Sequence, residues 1–234
     1  MQAANRVAKN TMILYIKMAI NVFISLYTTR LVLHALGAED FGLYNVIYGI
    51  ILMLNFINAS MTAASQRFIS FSMGEGNITS INKIFNMSVI LHLRIVIIIF
   101  IVLEVAGYFI FHGILNVDPS KLDTAKIIYQ FMVITMLVNV IHVPYDALLN
   151  AHENMLFFAI IGLTESIFKL SIAIFITYVI GNKLIYFGAL SAISSILILL
   201  MYRIYCNKQY PEAKIQFKSK VPSVVLNFIK LVGL

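Results

Sequence analysis

Apolar runs of roughly 20 to 28 residues recur along this chain, each long enough for a helix across a ~30 Å hydrocarbon core. They lie at about 11–36, 43–71, 85–111, 125–150, 156–180 and 184–206, and a further apolar pattern opens at Val221. Alternating runs of about ten residues, as a membrane β-barrel needs, are absent. Composition agrees: of 234 residues, 61% are hydrophobic and 12% charged, with a mean hydropathy of +0.91. A soluble domain is nearer half apolar and a quarter charged. The expected fold class is all-α, a polytopic membrane helical bundle of six transmembrane helices plus the start of a seventh.

Turn signals separate the runs: Gly37 and Gly42, Gly74-Glu75-Gly76-Asn77, Asp118-Pro119-Ser120, Ala151-His152-Glu153-Asn154, Gly181-Asn182-Lys183 and Pro211. The stretch from Thr28 to Tyr44 is unusual among them. Arg30 closes one apolar run, and a glycine-bounded acidic turn, residues 37–42, leads into the next. The expected organisation is a six-helix lobe over 1–206, a basic linker over 207–220 and the opening of a seventh helix over 221–234. An apolar pattern that stops about half a span in is expected of a fragment or of one half of a longer protein.

Charge sets the expected orientation. With the N-terminus inside, the inner segments hold Arg6, Lys9, Arg67, Lys83, Arg203, Lys208, Lys214, Lys218 and Lys220, against Arg30, Lys121, Lys126 and Lys183 outside. That bias predicts a cytoplasmic N-terminus and a cytoplasmic 207–220 linker. It also accounts for the net charge of +7 without nucleic acid as a partner. Cys206 is the only cysteine, which excludes an internal disulfide and a cysteine metal site. The first apolar run is too long for a signal peptide and lacks a small-residue cleavage pattern. No metalloprotease, nucleophile-elbow, phosphate-loop or dinucleotide motif is present, so neither an enzyme nor a cofactor is expected.

Polar groups at membrane depth are expensive and usually face a bundle interior or a watery cavity. Here they fall in stripes. At 100° per residue, Thr135, Asn139, His142 and Asp146 lie within roughly 60° of one another, and Lys17, Asn21, Ser25 and Thr28 within roughly 80°. Asn45, Tyr48, Asn55, Thr62 and Gln66 fall within roughly 100°. Glu165 and Lys169 are one turn apart, with Gly162 and Ser166 on the same face. Four helices thus carry polar faces expected to share a hydrated interior. Arg30 groups instead with Tyr27 and His34.

Each group has a plainer reading beside the functional one. Amides and hydroxyls also glue helices together, and the small face Gly188, Ser191, Ala192 and Ser195 reads as packing. Glu165 and Lys169 form either a self-neutralising pair or a solute or coupling-ion site. Asp146 with His142 one turn earlier is a proton-site candidate, since histidine titrates near neutrality, or a structural pair. Arg94 and Glu104 read as snorkelling or locally paired.

Several segments resemble a known family: Arg-Val-Ala-Lys-Asn-Thr (6–11), Ser-Leu-Tyr-Thr-Thr-Arg (25–30), Leu-Gly-Ala-Glu-Asp-Phe-Gly-Leu-Tyr-Asn (36–45), Ser-Gln-Arg-Phe (65–68), Val-Pro-Tyr-Asp-Ala (143–147) and Ala-His-Glu-Asn-Met (151–155). They resemble bacterial polysaccharide-biosynthesis flippases of the O-antigen (Wzx) type. The resemblance implies a fold of the multidrug/oligosaccharidyl-lipid/polysaccharide exporter superfamily, with two six-helix lobes, this chain being the N-terminal one. It implies translocation of an undecaprenyl-diphosphate-linked oligosaccharide by alternating access. Arg30 matches the arginine closing the first-span motif and becomes the leading candidate for diphosphate contact; Arg67 matches the Gln-Arg-Phe arginine, in a substrate or a gating role. Lys17 and Lys169 are further cavity cations by depth, and the Asn and Tyr side chains of the second span, Asn45 and Asn55 among them, suit sugar hydroxyls.

Two other readings stay open. A drug or metabolite antiporter of the same superfamily would favour acidic cavity groups. At membrane depth Lys17, Arg30, Arg67, Arg94 and Lys169 face only Glu104, Asp146 and Glu165, an excess that leans toward an anion. A non-transporting scaffold would instead gather a glycan polymerase or glycosyltransferases. Membrane lipids are partners under every reading.

Overall fold

The computed structural model describes residues 2–53, 55–76, 78–114 and 117–215. The chain is a bundle of long helices: α1 (Gln2–Leu52), α2 (Asn55–Gly74), α3 (Ile78–Phe109), α4 (Leu122–Ala151), α5 (Met155–Tyr178) and α6 (Lys183–Gln209). A π-helical turn, Ile110–Ile114, prolongs α3, and a 3-10 turn, Pro211–Ala213, follows α6. Five of the helices, all but α2, are long and apolar enough to cross a membrane. The protein is a multi-pass membrane protein. The seventh pattern expected at 221–234 and the 216–220 part of the linker lie outside the described residues.

Gly37 divides α1 into two arms, 2–36 and 38–52. Its φ of 79° and ψ of 167° belong to a region essentially closed to residues with a β-carbon. The sequence predicts a turn over 37–42, but one glycine suffices and helix resumes at once. The arms are antiparallel. In the first, Arg6 bridges to Glu153 at the start of α5 and Val32 packs with Ile176 near its end. In the second, Tyr44 meets Phe187 near the start of α6, and the chain then descends through α2 to Ile69, which shares a core with Tyr145 and Tyr210. The second apolar run, expected as one span over 43–71, is therefore carried by two helices, with α1 ending at Leu52 and α2 starting at Asn55. Counted this way, the described chain makes six passes.

Helix α4 is the hub. It packs against all five other helices, and half of its most apolar window is buried, whereas none of the corresponding α1 window is. It runs unbroken through Pro144, which is buried. Such a residue is tolerated at membrane depth when neighbours re-satisfy the freed backbone. Asn154 and Asn182 start α5 and α6 by accepting hydrogen bonds from the amides of Phe157 and Ile185, both at 3.2 Å.

Contacts between turns fix the two ends. At the Gly37 end, Lys121 bridges Glu39 (3.0 Å) and Asp40 (2.6 Å), and Asn182 donates to Thr124 (2.9 Å). At the Arg6 end, the chain leaving α6 folds back onto the bundle. Glu212 and Ala213 are buried, and Asn82 donates to the carbonyls of Glu212 (2.7 Å) and Lys214 (3.0 Å). Within the basic stretch 207–220, α6 runs to Gln209 and the chain from there to 215 is docked on the bundle. His152 Nε2 meets Glu212 Oε1 at 2.7 Å and stacks on Tyr210, while Asn154 donates to Tyr205 and Tyr210.

Candidate functional site

The polar stripes meet in one cavity of about 780 Å³ walled by both arms of α1 and by α2, α4, α5 and α6. From the first arm come Lys17, Asn21, Ser25 and Thr28; from the second, Tyr44, Asn45 and Tyr48. Helix α4 contributes Thr135, Asn139, His142 and Asp146, and α5 contributes Gly162, Glu165, Ser166 and Lys169. The residues spaced along one helix face in sequence thus share one interior once the helices pack.

Lys17 is the most closely fitted cation. Its side chain is half-buried and crosses the backbone of α5 at Gly162, where an added β-carbon would sit 2.6 Å from Nζ and closer still to Cε. The ammonium lies 3.8 Å from the centroid of the Phe158 ring, a cation–π contact. One turn further along, Ser166 donates to Asn21 Oδ1 (3.0 Å), holding the first arm to α5. Lys169 is paired with Glu165 at 2.7 Å, the self-neutralising arrangement that the spacing allowed.

Asp146 sits at the junction of α4 and α6. Tyr202 donates its hydroxyl to Oδ1 at 2.6 Å, and His142 Nδ1 lies 3.8 Å from Oδ2. The His142 and Tyr202 rings stack, with centroids 5.2 Å apart and planes within 5°. The two readings of His142 and Asp146 were a proton site and a structural pair; the geometry puts both residues on the cavity wall and adds Tyr202 as a third member.

Toward the Gly37 end the lining turns neutral. Tyr44 and Tyr48 stack with centroids 5.8 Å apart, and Tyr44 meets Phe187 edge-on at 5.1 Å. Asn45 lines the cavity and donates to the Phe41 carbonyl at 2.8 Å. Among the described residues, five buried side-chain polar atoms lack a hydrogen-bond partner, and three of them, Thr28 Oγ1, Asn58 Oδ1 and His142 Nδ1, belong to this cavity.

Several expected residues lie elsewhere. Arg30 and Arg67 are exposed and do not line the cavity. Helical geometry is the reason: Arg30 is turned roughly 200° from Thr28, and Arg67 roughly 140° from Thr62. Gln66 is off the wall as well, and the Asn55 side chain lies outside the described residues. Arg94 is exposed, and Glu104 is locally paired, accepting from Gln130 at 3.3 Å. The charge within the cavity is therefore balanced, Lys17 and Lys169 against Asp146 and Glu165, and the positive excess read along the spans does not reach it.

The small face of α6, expected to be packing, is divided. Ala192 is buried, while Gly188, packed against Ile128 and Phe131, lines the cavity together with Ser191 and Ser195. Tyr202 is a site residue that the sequence reading does not single out. A signal existed for Tyr202: Ser191, Ser195, Ile198 and Tyr202 follow at i, i+4, i+7 and i+11, the spacing of the α4 stripe.

The fold is similar to those of solved transporters. For MATE in complex with MaD3S the TM-score is 0.79 at 13% identity, over 97% of this chain and 51% of that one. For a MOP superfamily transporter from Pyrococcus furiosus Vc1 (DSM3638), in which reverse polarity of the binding pocket suggests a different function, it is 0.78 at 13% identity, over 97% and 50%. For the outward-facing conformation of a multidrug resistance MATE family transporter it is 0.76 at 13% identity, over 96% and 49%. The chain thus spans about half the length of these structures. No curated protein matches it. The MatE family model matches residues 14–179, the region from the cavity-lining half of the first arm to the end of α5. Six passes around a polar cavity and that match together place the chain: it belongs to the MatE family.

Proposed function

We propose that this chain forms one lobe of a membrane transporter that carries a polyprenyl-diphosphate-linked oligosaccharide from the inner to the outer leaflet of a bacterial cytoplasmic membrane by alternating access. The observation that carries this reading is the convergence of neutral amides, hydroxyls and tyrosines with two lysines in one interior of about 780 Å³. Such a lining suits a head group made mostly of sugar hydroxyls with one anionic junction. The polyprenyl tail would stay in lipid, against the apolar side chains exposed on α1 and α3. Lys17 and Lys169 are the cations available to a diphosphate. Glu165 and Asp146 balance them when no anion is bound, so the site does not hold two uncompensated charges at membrane depth.

A second reading, a MATE-like antiporter of organic cations, is favoured by Asp146 and Glu165 on the same wall. Full-length protein in liposomes separates the two. Transbilayer movement of a lipid-linked oligosaccharide is followed by its accessibility to an external lectin, and uptake of a fluorescent organic cation is followed under a pH gradient. Protein-dependent movement of the glycolipid without cation uptake is the expected result. Cation uptake without glycolipid movement would assign the antiporter.

A further inference from the structure

The cavity is not uniform along its length. Lys17, Asp146 and Tyr202 lie toward the Arg6 end, since Lys17 sits against Gly162 near the start of α5, and Asp146 and Tyr202 are near the final turns of α4 and α6, while the Glu165–Lys169 pair sits about halfway along α5. Thr28, Tyr44 and Tyr48 lie toward the Gly37 end, where Tyr44 packs on Phe187 at the start of α6. The charged and neutral parts of a substrate would be met at different heights.

The neutral part has two independent features that point to a ligand. The first is a flat aromatic surface. Tyr48 is stacked on Tyr44 and still 41% exposed, so its orientation is set by its neighbour while ring surface stays open. The negative face of an aromatic ring attracts the weakly positive C–H edge of a neighbour, and the C–H-rich face of a pyranose ring is such an edge. The second is a pair of buried atoms without partners, Thr28 Oγ1 and, at mid-height, Asn58 Oδ1. A buried acceptor left unmade carries a penalty of about 1–3 kcal/mol, which a ligand hydroxyl would relieve. Neither atom is charged, and an amide oxygen can only accept. The threonine hydroxyl can donate or accept, so a ligand hydroxyl, which does both, satisfies either atom.

Resting on the transporter reading above, we propose that this part of the cavity is a sugar-ring subsite, in which one pyranose of the substrate stacks on Tyr48 and donates hydroxyls to Asn58 and Thr28. The charged end then receives the diphosphate, and recognition of the glycan is separated from recognition of the lipid anchor.

The test compares two probes on the full-length protein in nanodiscs: the lipid-linked saccharide pool extracted from the cells that make this protein, and polyprenyl diphosphate without sugar. The wild type should bind the saccharide lipid about tenfold more tightly than the bare lipid. Tyr48→Leu and Asn58→Ala should each bring the two probes to near-equal affinity while leaving binding of the bare lipid unchanged. Tyr48→Phe, which keeps the ring, should retain the preference and shows that the site tolerates substitution. Equal loss for both probes in Tyr48→Leu, or a preference that survives both substitutions, would overturn the subsite while leaving the transporter reading intact. Binding of neither probe to the wild type would instead remove the glycolipid reading itself, and the subsite with it.

Discussion

Lys17 occupies a notch in α5 that exists only because residue 162 is glycine: a β-carbon there would meet both Cε and Nζ of the lysine. Alanine at this position favours helix by up to ~1 kcal/mol over glycine. Gly162→Ala should therefore leave thermal stability unchanged or raised, yet push the ammonium off the Phe158 ring and lower transport by about tenfold, because small displacements of positioned groups are costly. Thermal unfolding and glycolipid movement measured on one preparation check both halves. A variant that is destabilised and transports normally would contradict the notch.

The two leading cations differ in position. Lys17 lines the cavity, and Arg30 is exposed away from it. Lys17→Ala is expected to reduce export of surface glycan by about tenfold, and Arg30→Ala by less than about twofold, as for an exposed charge without a buried partner. Complementation at matched expression measures both. The reverse ranking would return the leading role to Arg30 and move the charged subsite out of this cavity.

Asp146 accepts a 2.6 Å hydrogen bond from Tyr202 and faces His142. If its carboxylate carries the coupling proton, Asp146→Asn should abolish the response of transport to an imposed pH gradient while downhill movement continues. Tyr202→Phe, which leaves the carboxylate in place, should keep that response. Unchanged gradient dependence in Asp146→Asn removes this residue from coupling.

At the Arg6 end, the buried Glu212 and the part-buried His152 join the end of α6 to the α4–α5 turn. Removing the histidine leaves the buried Glu212 without this hydrogen bond, at a cost of about 1–3 kcal/mol. His152→Ala should lower the unfolding temperature, and the double change His152→Ala with Glu212→Gln should recover much of it. Additive losses in the double variant would show that the two residues act independently.

At the opposite end, Asp118 accepts bonds from the Ser120 hydroxyl (2.7 Å) and amide (2.8 Å), which hold its carboxyl below the ordinary value of 3.8. A depressed carboxylate contributes its full stabilisation above that ordinary value and loses it as the pH falls from there to the lowered one. An NMR titration of the Asp118 carboxyl should show a midpoint below 3.8 that moves back up in Ser120→Ala. A midpoint unaffected by Ser120→Ala would mean that the turn does not hold the charge.

Much of the site was legible because the helix period is local. Lys17 to Thr28 and Thr135 to Asp146 were aligned by 100° steps alone, and the cavity collects both runs. The same geometry that aligned them set Arg30 apart, though the family motif drew attention to it. The second span was harder. Its apolar pattern continues through the point where α1 ends and α2 begins, so the stripe from Asn45 to Gln66 was projected along one helix when there are two. Asn45, Tyr48 and Thr62 reach the wall all the same, but Gln66 does not.

Residues taken one helix at a time express length against bilayer thickness, the polar or apolar character of each face, and the glycine at 37 that lets one arm turn into the next. The tertiary structure decided which faces meet. Lys17 finds Gly162, Tyr202 finds Asp146, and Glu212 finds His152 across separations of 145, 56 and 60 residues, and no local period encodes them. The charge balance of the cavity belongs to the same level. It depends on which side chains packing turns inward, and packing left the arginines of the motifs outside.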